Sequence, residues 1–199
     1  MVAALFVDPK GVYANLPDVE VWDEARDARQ YAGPWPVVAH PPCARWSIMG
    51  LCRGYGDGND GGCFQAALEA VRSFGGVLEH PRFTLAWKAF GLPRPSSSGW
   101  TRSLLDDGWT CEVDQRLYGH AIRKPTWLYY VGPAPPPLLW GTGERGAKTV
   151  ARGFGGGRSH LVAATPVAFR DELLAMARAA RALTLTPPLD ETPAPRERP

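Results

Sequence analysis

The sequence predicts an α/β protein built on one sheet with crossover helices. Short apolar runs of strand length alternate with segments whose apolar residues recur at helical spacing, and this alternation is typical of α/β sheets. The chain has 199 residues, of which 45% are hydrophobic, so it suits a single domain with a real core. We therefore expect one domain over residues 1–184 and a mobile, proline-rich tail over 185–199.

The first part of the chain contains four predicted strands, at residues 3–7, 19–22, 37–39 and 77–79. Residues 23–31 (DEARDARQY) begin with acidic side chains that suit the positive end of a helix dipole. Residues 63–74 have apolar positions at helical spacing and are closed by two glycines. Two helices are therefore expected here, whereas the glycine-rich stretch 50–62 is expected to be irregular.

The second part of the chain contains two further predicted strands and one long helix. The strands are residues 109–117 and 126–131, and the helix is residues 167–183, which are rich in Ala and Leu. Each strand and helix is assigned from its apolar spacing.

Composition excludes some classes of protein. No segment approaches the roughly 18 consecutive apolar residues of a membrane helix, and the N-terminus lacks a signal-peptide pattern. We expect a cytoplasmic protein without a membrane partner, whose four cysteines are reduced thiols rather than a disulfide framework. The net charge of +2 neither requires nor excludes a nucleic-acid partner.

Polar and reactive side chains follow the ends of the first four predicted strands. Asp8, Asp23 and Cys43 follow the first three strands, and Glu79 and His80 stand at the end of the fourth. In open α/β sheets, ligands gather at the carboxyl ends of strands. A thiol and a carboxyl are therefore expected to face one crevice. Either residue alone would more often be structural, and their combination with a later basic cluster favours chemistry.

Metal chemistry is disfavoured by the cysteine spacing. His40, Cys43, Cys52 and Cys63 do not form the paired CxxC clusters of structural zinc sites. A zinc deaminase would need Pro-Cys-x-x-Cys, whereas Cys43 is followed by ARW. We expect no metal site.

Several short blocks resemble the DNA cytosine-C5 methyltransferases and follow that family's order. PPC (41–43) is similar to its nucleophile loop, and LEHP (78–81) to the strand end that carries its glutamate. YGHAIRK (118–124) is similar to its tyrosine-glycine turn and basic cluster. VWD (21–23) resembles the point where the family holds the adenosine of S-adenosylmethionine, and TPVAF (165–169) is a weaker echo of its closing motif. The matching blocks are short, but they are distributed over most of the chain.

The resemblance implies a Rossmann-like, methyltransferase-type sheet and a covalent mechanism. Cys43 would add to carbon 6 of cytosine and make carbon 5 nucleophilic toward a one-carbon donor. Glu79 would present a protonated carboxyl to N3, and Arg123 or Lys124 a cation near O2. The substrate-binding residues would be Pro41, Pro42, Trp46, Ser47, His80 and Thr126. The donor-binding residues would be Phe6, Asp8, Gly11, Trp22 and Asp23, with the Trp22 ring stacked on an adenine or pterin.

The chain departs from the family pattern in several places. Residues 9–18 supply one glycine and no room for the helix that the family uses beside the methionine part of its donor. Val21 replaces an acid, and Thr126 stands where an arginine is usual. Only residues 133–164 are available for target recognition, so weak sequence specificity is expected. The small size is compatible with a phage or other mobile-element origin.

Three functions stay open at this point. The protein could be a minimal cytosine methyltransferase acting on DNA. It could instead modify carbon 5 of a pyrimidine with a donor such as methylenetetrahydrofolate, in DNA or in a nucleotide. A third reading is a non-catalytic relative that binds nucleic acid.

The segment 144–160 bears on the choice of partner. It interleaves glycines with four basic residues, Arg145, Lys148, Arg152 and Arg158. Backbone amides and cations arranged in this way can approach phosphates. The alternative is a solvated loop, since the segment matches no phosphate-binding motif of the Walker type.

Overall fold

A computed structural model describes residues 1–54, 56–142 and 164–184. Its strands are β1 (Val2–Leu5), β2 (Val19–Trp22), β3 (Val37–Ala39), β4 (Gly76–Pro81), β5 (Thr101–Arg102), β6 (Gly108–Asp114) and β7 (Pro125–Val131). They form one seven-stranded sheet in the order β2-β1-β3-β4-β7-β6-β5. The first four strands of that order are parallel, and the pairs from β4 to β5 are antiparallel. The fold is therefore mixed α/β.

Four α-helices lie within the described ranges. They are α1 (Ile48–Cys52), α2 (Cys63–Phe74), α3 (Leu85–Ala89) and α4 (Val167–Thr184). Helix α2 is framed by Gly62 and Gly75, which have φ of 82° and 74°. Glycine reaches such positive φ without the Cβ clash of other residues, so these two positions end the helix sharply.

The sheet is covered on both faces because its side chains alternate. In β1, Ala3 and Leu5 join the core cluster that contains α2 and α3, whereas Val2 and Ala4 join the cluster that contains α4. Burial on both faces explains why these strands are apolar throughout rather than alternating. Each fully buried Leu or Phe contributes about 1.5–3 kcal/mol to folding, so α2 and α4 hold the strand ends in fixed positions.

Most predicted elements are present, with small shifts of their ends. The strands at 19–22 and 37–39 and the helix at 63–74 agree with the prediction. The first strand ends at Leu5 rather than residue 7, because Phe6 has φ of 59° and turns the chain out of the sheet. The strand predicted at 109–117 ends at Asp114 and continues as a 3-10 turn over Gln115–Tyr118.

The helix predicted at residues 23–31 is wrong. Only Ala28–Gln30 forms a single 3-10 turn. The acidic side chains cap local turns instead, since Asp23 accepts the amide of Arg26 at 2.9 Å and Asp27 accepts that of Arg29 at 3.2 Å. Asp side chains compete with the helix in this way because they satisfy nearby backbone amides themselves.

The prediction also missed three features of the fold. Helix α1 overlaps the stretch expected to be irregular and is capped by Ser47, whose hydroxyl accepts the amide of Gly50 at 2.9 Å. Helix α3 and the two-residue strand β5 were not predicted. Of the connections between described parallel strands, only the one from β3 to β4 contains α-helices. The other half of the sheet is antiparallel, so crossover helices are fewer than predicted.

Candidate active site

The loop after β3 presents Cys43 to solvent. Pro41 is buried, whereas Pro42 and Cys43 are exposed, and the chain then enters a 3-10 turn over Ala44–Trp46. Two consecutive prolines restrict the backbone and remove two amide donors. The strand end and the prolines together fix where the thiol emerges.

The environment of Cys43 keeps its thiol protonated in the free protein. Partial burial raises the pKa of Cys43, the negative charge of Glu79 raises it further, and the Lys124 cation opposes this. The thiolate is the nucleophilic form of cysteine. Reaction at Cys43 therefore requires that a ligand or a change of charge first offset the influence of Glu79.

Glu79 lies at the end of β4 as a buried, ionised carboxylate. Its side chain accepts hydrogen bonds from His40 Nδ1 at 2.9 Å and from Gln115 Nε2 at 3.0 Å. Burial alone would raise the pKa of Glu79, but the His40 hydrogen bond and the charge of Lys124 outweigh it and lower the pKa to about 2. The carboxylate is thus an acceptor in the free protein.

The hydrogen bonds continue on both sides of Glu79 into a buried network. The Nε2 atom of His40 lies 2.9 Å from the hydroxyl of Tyr13. On the other side, Gln115 Nε2 also donates to Thr126 Oγ1 at 2.9 Å. Tyr13 is 2% exposed, and Gln115 and Thr126 are fully buried. Groups buried to this degree and bonded to one another hold Glu79 in one orientation.

The two cations of the predicted basic cluster have different environments. The guanidinium Nε of Arg123 donates to Asp114 at 2.9 Å, and that carboxylate is 2% exposed. This buried pair stabilises the turn before β7. Lys124 donates to the carbonyl of Ala164 at 3.1 Å, and its charge lowers the pKa of both Cys43 and Glu79. Lys124 is therefore the cation that acts on the thiol and carboxyl.

A cleft of about 910 Å³ opens at the carboxyl ends of β1, β2 and β3. Residues 6–9, 23–25 and 27–29 line it, together with Pro42 and Cys63. The chain leaves β1 for β2 on one side and returns to β3 on the other, so the cleft lies where the strand order reverses. Ligands of open α/β sheets bind at such switch points.

Three of the predicted donor-binding residues line this cleft. Phe6 and Asp8 reach it from the end of β1, and Asp23 from the end of β2. Gly11 donates its amide to the carbonyl of Asp8 at 2.9 Å, which closes the turn that carries Asp8. Trp22 is the last residue of β2, directly before Asp23.

The cleft is net negative. Four carboxylates line it, those of Asp8, Asp23, Glu24 and Asp27, against one guanidinium, that of Arg29. Arg29 is itself paired with Asp27 at 2.7 Å. An uncompensated negative wall favours ligands that carry positive charge or hydroxyl donors.

The indole of Trp22 already has partners within the protein. The guanidinium carbon of Arg26 lies 3.7 Å from the centre of the indole, which is the geometry of a cation–π contact. Tyr31 meets the ring edge-on with 5.2 Å between centroids. A planar ligand stacked on Trp22 would use the face opposite Arg26 or displace that side chain.

The remaining predicted substrate residues are divided between surface and core. Trp46 donates its indole N–H to Asp60 at 2.8 Å and packs on Phe90, so it closes the loop after Cys43. His80 is fully buried against Phe64, on the opposite face of the sheet from Glu79. Burial lowers the pKa of His80 to about 4, so its ring is neutral at neutral pH.

Sequence reasoning missed three members of the network, His40, Tyr13 and Gln115. His40 directly follows a buried strand, so the argument from strand ends could have identified it, but its spacing to the cysteines was considered only for zinc. Tyr13 and Gln115 carry no motif and reach Glu79 only through the fold. No sequence pattern links them to Glu79, because both lie in connecting segments that are far from Glu79 along the chain.

Some expectations fall on residues outside the described ranges. They concern the basic segment with Arg145, Lys148, Arg152 and Arg158, and the tail over 185–199. Within the described ranges, no group of three or more His, Cys, Asp or Glu side chains is arranged to hold a metal ion. No described helix combines the length and apolar character needed to cross a membrane.

Comparison with known proteins adds no assignment. The chain matches no protein-family model and no curated protein.

Proposed function

We propose that this protein modifies carbon 5 of a pyrimidine, and specifically that it methylates cytosine in DNA through a covalent Cys43 adduct. The observation that carries the proposal is the placement of Cys43 in the loop after β3 and of Glu79 within the neighbouring parallel strand β4, close enough for the carboxylate to shift the pKa of the thiol. The switch-point cleft adjoins the same loop through Pro42. The order of the parallel strands supports a Rossmann-like sheet of the methyltransferase type.

The residues of the site suit the steps of such a reaction. Once Cys43 is ionised, its sulfur would bond to carbon 6, and the electron pair displaced from the ring would be stabilised by protonation at N3. Glu79 would meet N3, and Lys124 would supply positive charge beside both groups, as it does for Cys43 and Glu79 in the free protein. After transfer, loss of the proton from carbon 5 would allow the sulfur to leave.

The charge of the cleft favours S-adenosylmethionine over a folate as the donor. When bound, S-adenosylmethionine would supply an electrophilic methyl group. It carries a sulfonium and an ammonium against a single carboxylate, so its net positive charge and its ribose hydroxyls suit the net negative cleft. A methylenetetrahydrofolate carries the carboxylates of its glutamate, which those same side chains would repel. Asp8 and Asp23 would make the contacts, with Phe6 packing against the donor.

The surface around the thiol favours DNA over a free nucleotide. Cys43 is exposed at the protein surface rather than enclosed. Arg45 follows it with a half-exposed side chain, and α1 exposes Ile48, Met49 and Leu51. A flipped base attached to its strand can reach such a site at a cost of a few kcal/mol. A cytoplasmic location, in which the thiol stays reduced, belongs to the same proposal.

Covalent trapping tests this function directly. A DNA duplex containing 5-fluorocytosine is incubated with the protein and S-adenosylmethionine, because fluorine replaces the proton that must leave and retains the adduct. We expect a stable protein–DNA adduct with the wild type and none with Cys43→Ala. Cys52→Ala is the matched control, since Cys52 is also an exposed free thiol, and it should trap normally.

Two outcomes would contradict the proposal. An adduct that persists in Cys43→Ala would reject Cys43 as the nucleophile. No adduct with the wild type, with either donor and with either DNA or nucleotide substrates, would reject catalysis and favour the non-catalytic nucleic-acid-binding relative.

A further inference from the structure

We propose that His40 is a positioning residue that controls the proton on Glu79 and thereby determines whether the site accepts cytosine or uracil. The inference rests on the proposed pyrimidine chemistry. Its structural basis is the chain of contacts from Tyr13 through His40 to Glu79.

His40 is held on both sides by groups that fix its ring. Nδ1 lies 2.9 Å from Glu79 Oε2, and Nε2 lies 2.9 Å from the Tyr13 hydroxyl. The side chains of His40 and Glu79 are 14% and 9% exposed. A hydroxyl can donate to a bare ring nitrogen or accept from a protonated one, so Tyr13 accommodates His40 with either one proton or two.

The two pyrimidines require opposite states of Glu79. Cytosine has a bare N3 that needs a donor, whereas uracil has an N3–H that needs an acceptor. The ionised carboxylate of the free protein therefore suits uracil, and a protonated carboxyl suits cytosine. Among the described residues, His40 and Gln115 donate to Glu79 through their side chains. The Gln115 amide does not ionise, so of these two His40 is the one that can transfer a proton.

The first step balances in protons and electrons when His40 supplies the proton that reaches N3. The exposed Cys43 thiol first loses its proton to solvent. The thiolate forms the bond to carbon 6, and the electron pair of the carbon 5–carbon 6 double bond shifts through the ring to N3. N3 takes a proton from Glu79, and Glu79 takes the Nδ1 proton of the His40 imidazolium. The thiolate charge and the imidazolium charge disappear together, leaving a neutral adduct and a neutral imidazole.

Other charged groups around the network oppose or assist this transfer. Lys124 and the imidazole of His80 lie near Glu79, and Lys124 also faces Cys43. Arg170 and Asp171, at the start of α4, lie near Tyr13. The Lys124 cation and a charged His40 both favour the ionised carboxylate, so Glu79 acts as a donor only through transfer of the Nδ1 proton along the 2.9 Å contact with His40.

The test compares two trapping substrates in matched variants. DNA duplexes with 5-fluorocytosine or 5-fluorouracil at one position are reacted with S-adenosylmethionine, and the ratio of the two adduct-formation rates is measured at one fixed pH. His40→Gln retains a side-chain donor toward Glu79 but cannot carry a mobile proton. We expect it to lower the cytosine-to-uracil ratio by roughly tenfold or more.

A second variant separates this role from simple support of the fold. In Glu79→Gln, the amide can donate to N3 without taking a proton, so adding His40→Gln should leave the ratio of that variant unchanged. Equal loss of both adducts in His40→Gln, or an unchanged ratio, would overturn the inference while leaving the proposed function intact. If the wild type traps neither base, the proposed function fails first. Thermal unfolding of each variant verifies that it is folded.

Discussion

The parallel and antiparallel halves of the sheet differ in how they use their polar residues. Strands β1, β2 and β3 have only three or four residues each, and polar or reactive side chains follow where they stop. Strands β6 and β7 have seven residues each and are paired along their length. Their polar groups bond to one another, as when Trp127 donates to Glu112 at 2.9 Å. Short strands therefore leave polar side chains beyond their ends, where these can contact ligands. In the long paired strands, the polar side chains bond to one another instead.

The two halves meet at Glu79. The carboxylate belongs to β4, the last parallel strand, but Gln115 and Thr126 come from the antiparallel half. The antiparallel half thus contributes orientation and, through Lys124 directly before β7, a nearby cation, but neither the thiol nor the carboxylate. If this division is correct, changes in the parallel half should alter activity or ligand binding, and changes within strands β6 and β7 away from Glu79 should alter stability.

The largest contrast is expected between two cysteines. Cys43→Ala should abolish adduct formation and leave the unfolding free energy nearly unchanged, because the thiol is exposed. Cys111 lies in β6 and is fully buried, so Cys111→Ala should lower stability by about 1 kcal/mol and retain trapping activity. Denaturant unfolding and the trapping assay are measured for both variants. Loss of trapping in a folded Cys111→Ala variant would contradict the proposed division between the two halves of the sheet.

A large pH effect should come from His80, on the structural face of β4. Burial lowers the pKa of His80 from 6.5 to about 4, so the folded state resists protonation that the unfolded state accepts. The unfolding free energy is therefore unaffected by His80 above pH 6.5. It falls by about 3 kcal/mol in all as the pH decreases from 6.5 toward 4, because the unfolded state binds a proton that the folded state does not. His80→Gln should flatten the dependence of the unfolding free energy on pH across this window. A slope equal to that of the wild type would reject the assignment.

Gly108 provides a test within the antiparallel half alone. A Cβ at this position would overlap the ring of Tyr129, whose hydroxyl donates to Asp106 at 2.9 Å. Gly108→Ala should therefore lower stability by about 2 kcal/mol through overpacking, with trapping retained below the melting temperature. Gly99→Ala is a suitable control, because its added Cβ meets no atom within 4 Å.

The smallest effect is expected from two tryptophans that each lie beneath an arginine. Trp22 ends β2 beside the cleft with Arg26 above it, and Trp109 lies in β6 with Arg102 at 5.6 Å. Trp22→Ala should weaken S-adenosylmethionine binding about tenfold, equivalent to 1.4 kcal/mol. Trp109→Ala should leave that affinity unchanged. Calorimetric titration of both variants measures the difference, and equal affinities would remove Trp22 from the donor site.

Local sequence patterns predicted the parts of the fold that depend on neighbouring residues. Helix α2 and strand β3 were recognised because their apolar spacing and flanking glycines or prolines act locally. Strand direction in the second half was not predicted, since pairing of β7 between β4 and β6 depends on contacts distant in sequence. The error at residues 23–31 arose because Asp23 and Asp27 suit both helix starts and turns.

The candidate site was predicted in the same uneven way. Cys43 follows β3 and Glu79 lies in the last part of β4, and the structure brings them within electrostatic reach. The ionised state of Glu79 could not be predicted, because it depends on His40 and Gln115, which contact it only in the folded chain. The resemblance assigned a protonated carboxyl to this position, whereas the free protein holds an anion there.

One contact makes the site depend on α4, which follows the seven described strands along the chain. Arg170 of α4 donates to the carbonyl of Val12 at 2.8 Å, next to Tyr13, and Phe169 and Leu173 of the same helix pack in the cluster that contains Tyr13. A ribosome-bound chain that has released every strand but not α4 would lack this anchor. The nascent protein would thus hold its thiol and its carboxylate without an oriented His40 until α4 has emerged and packed.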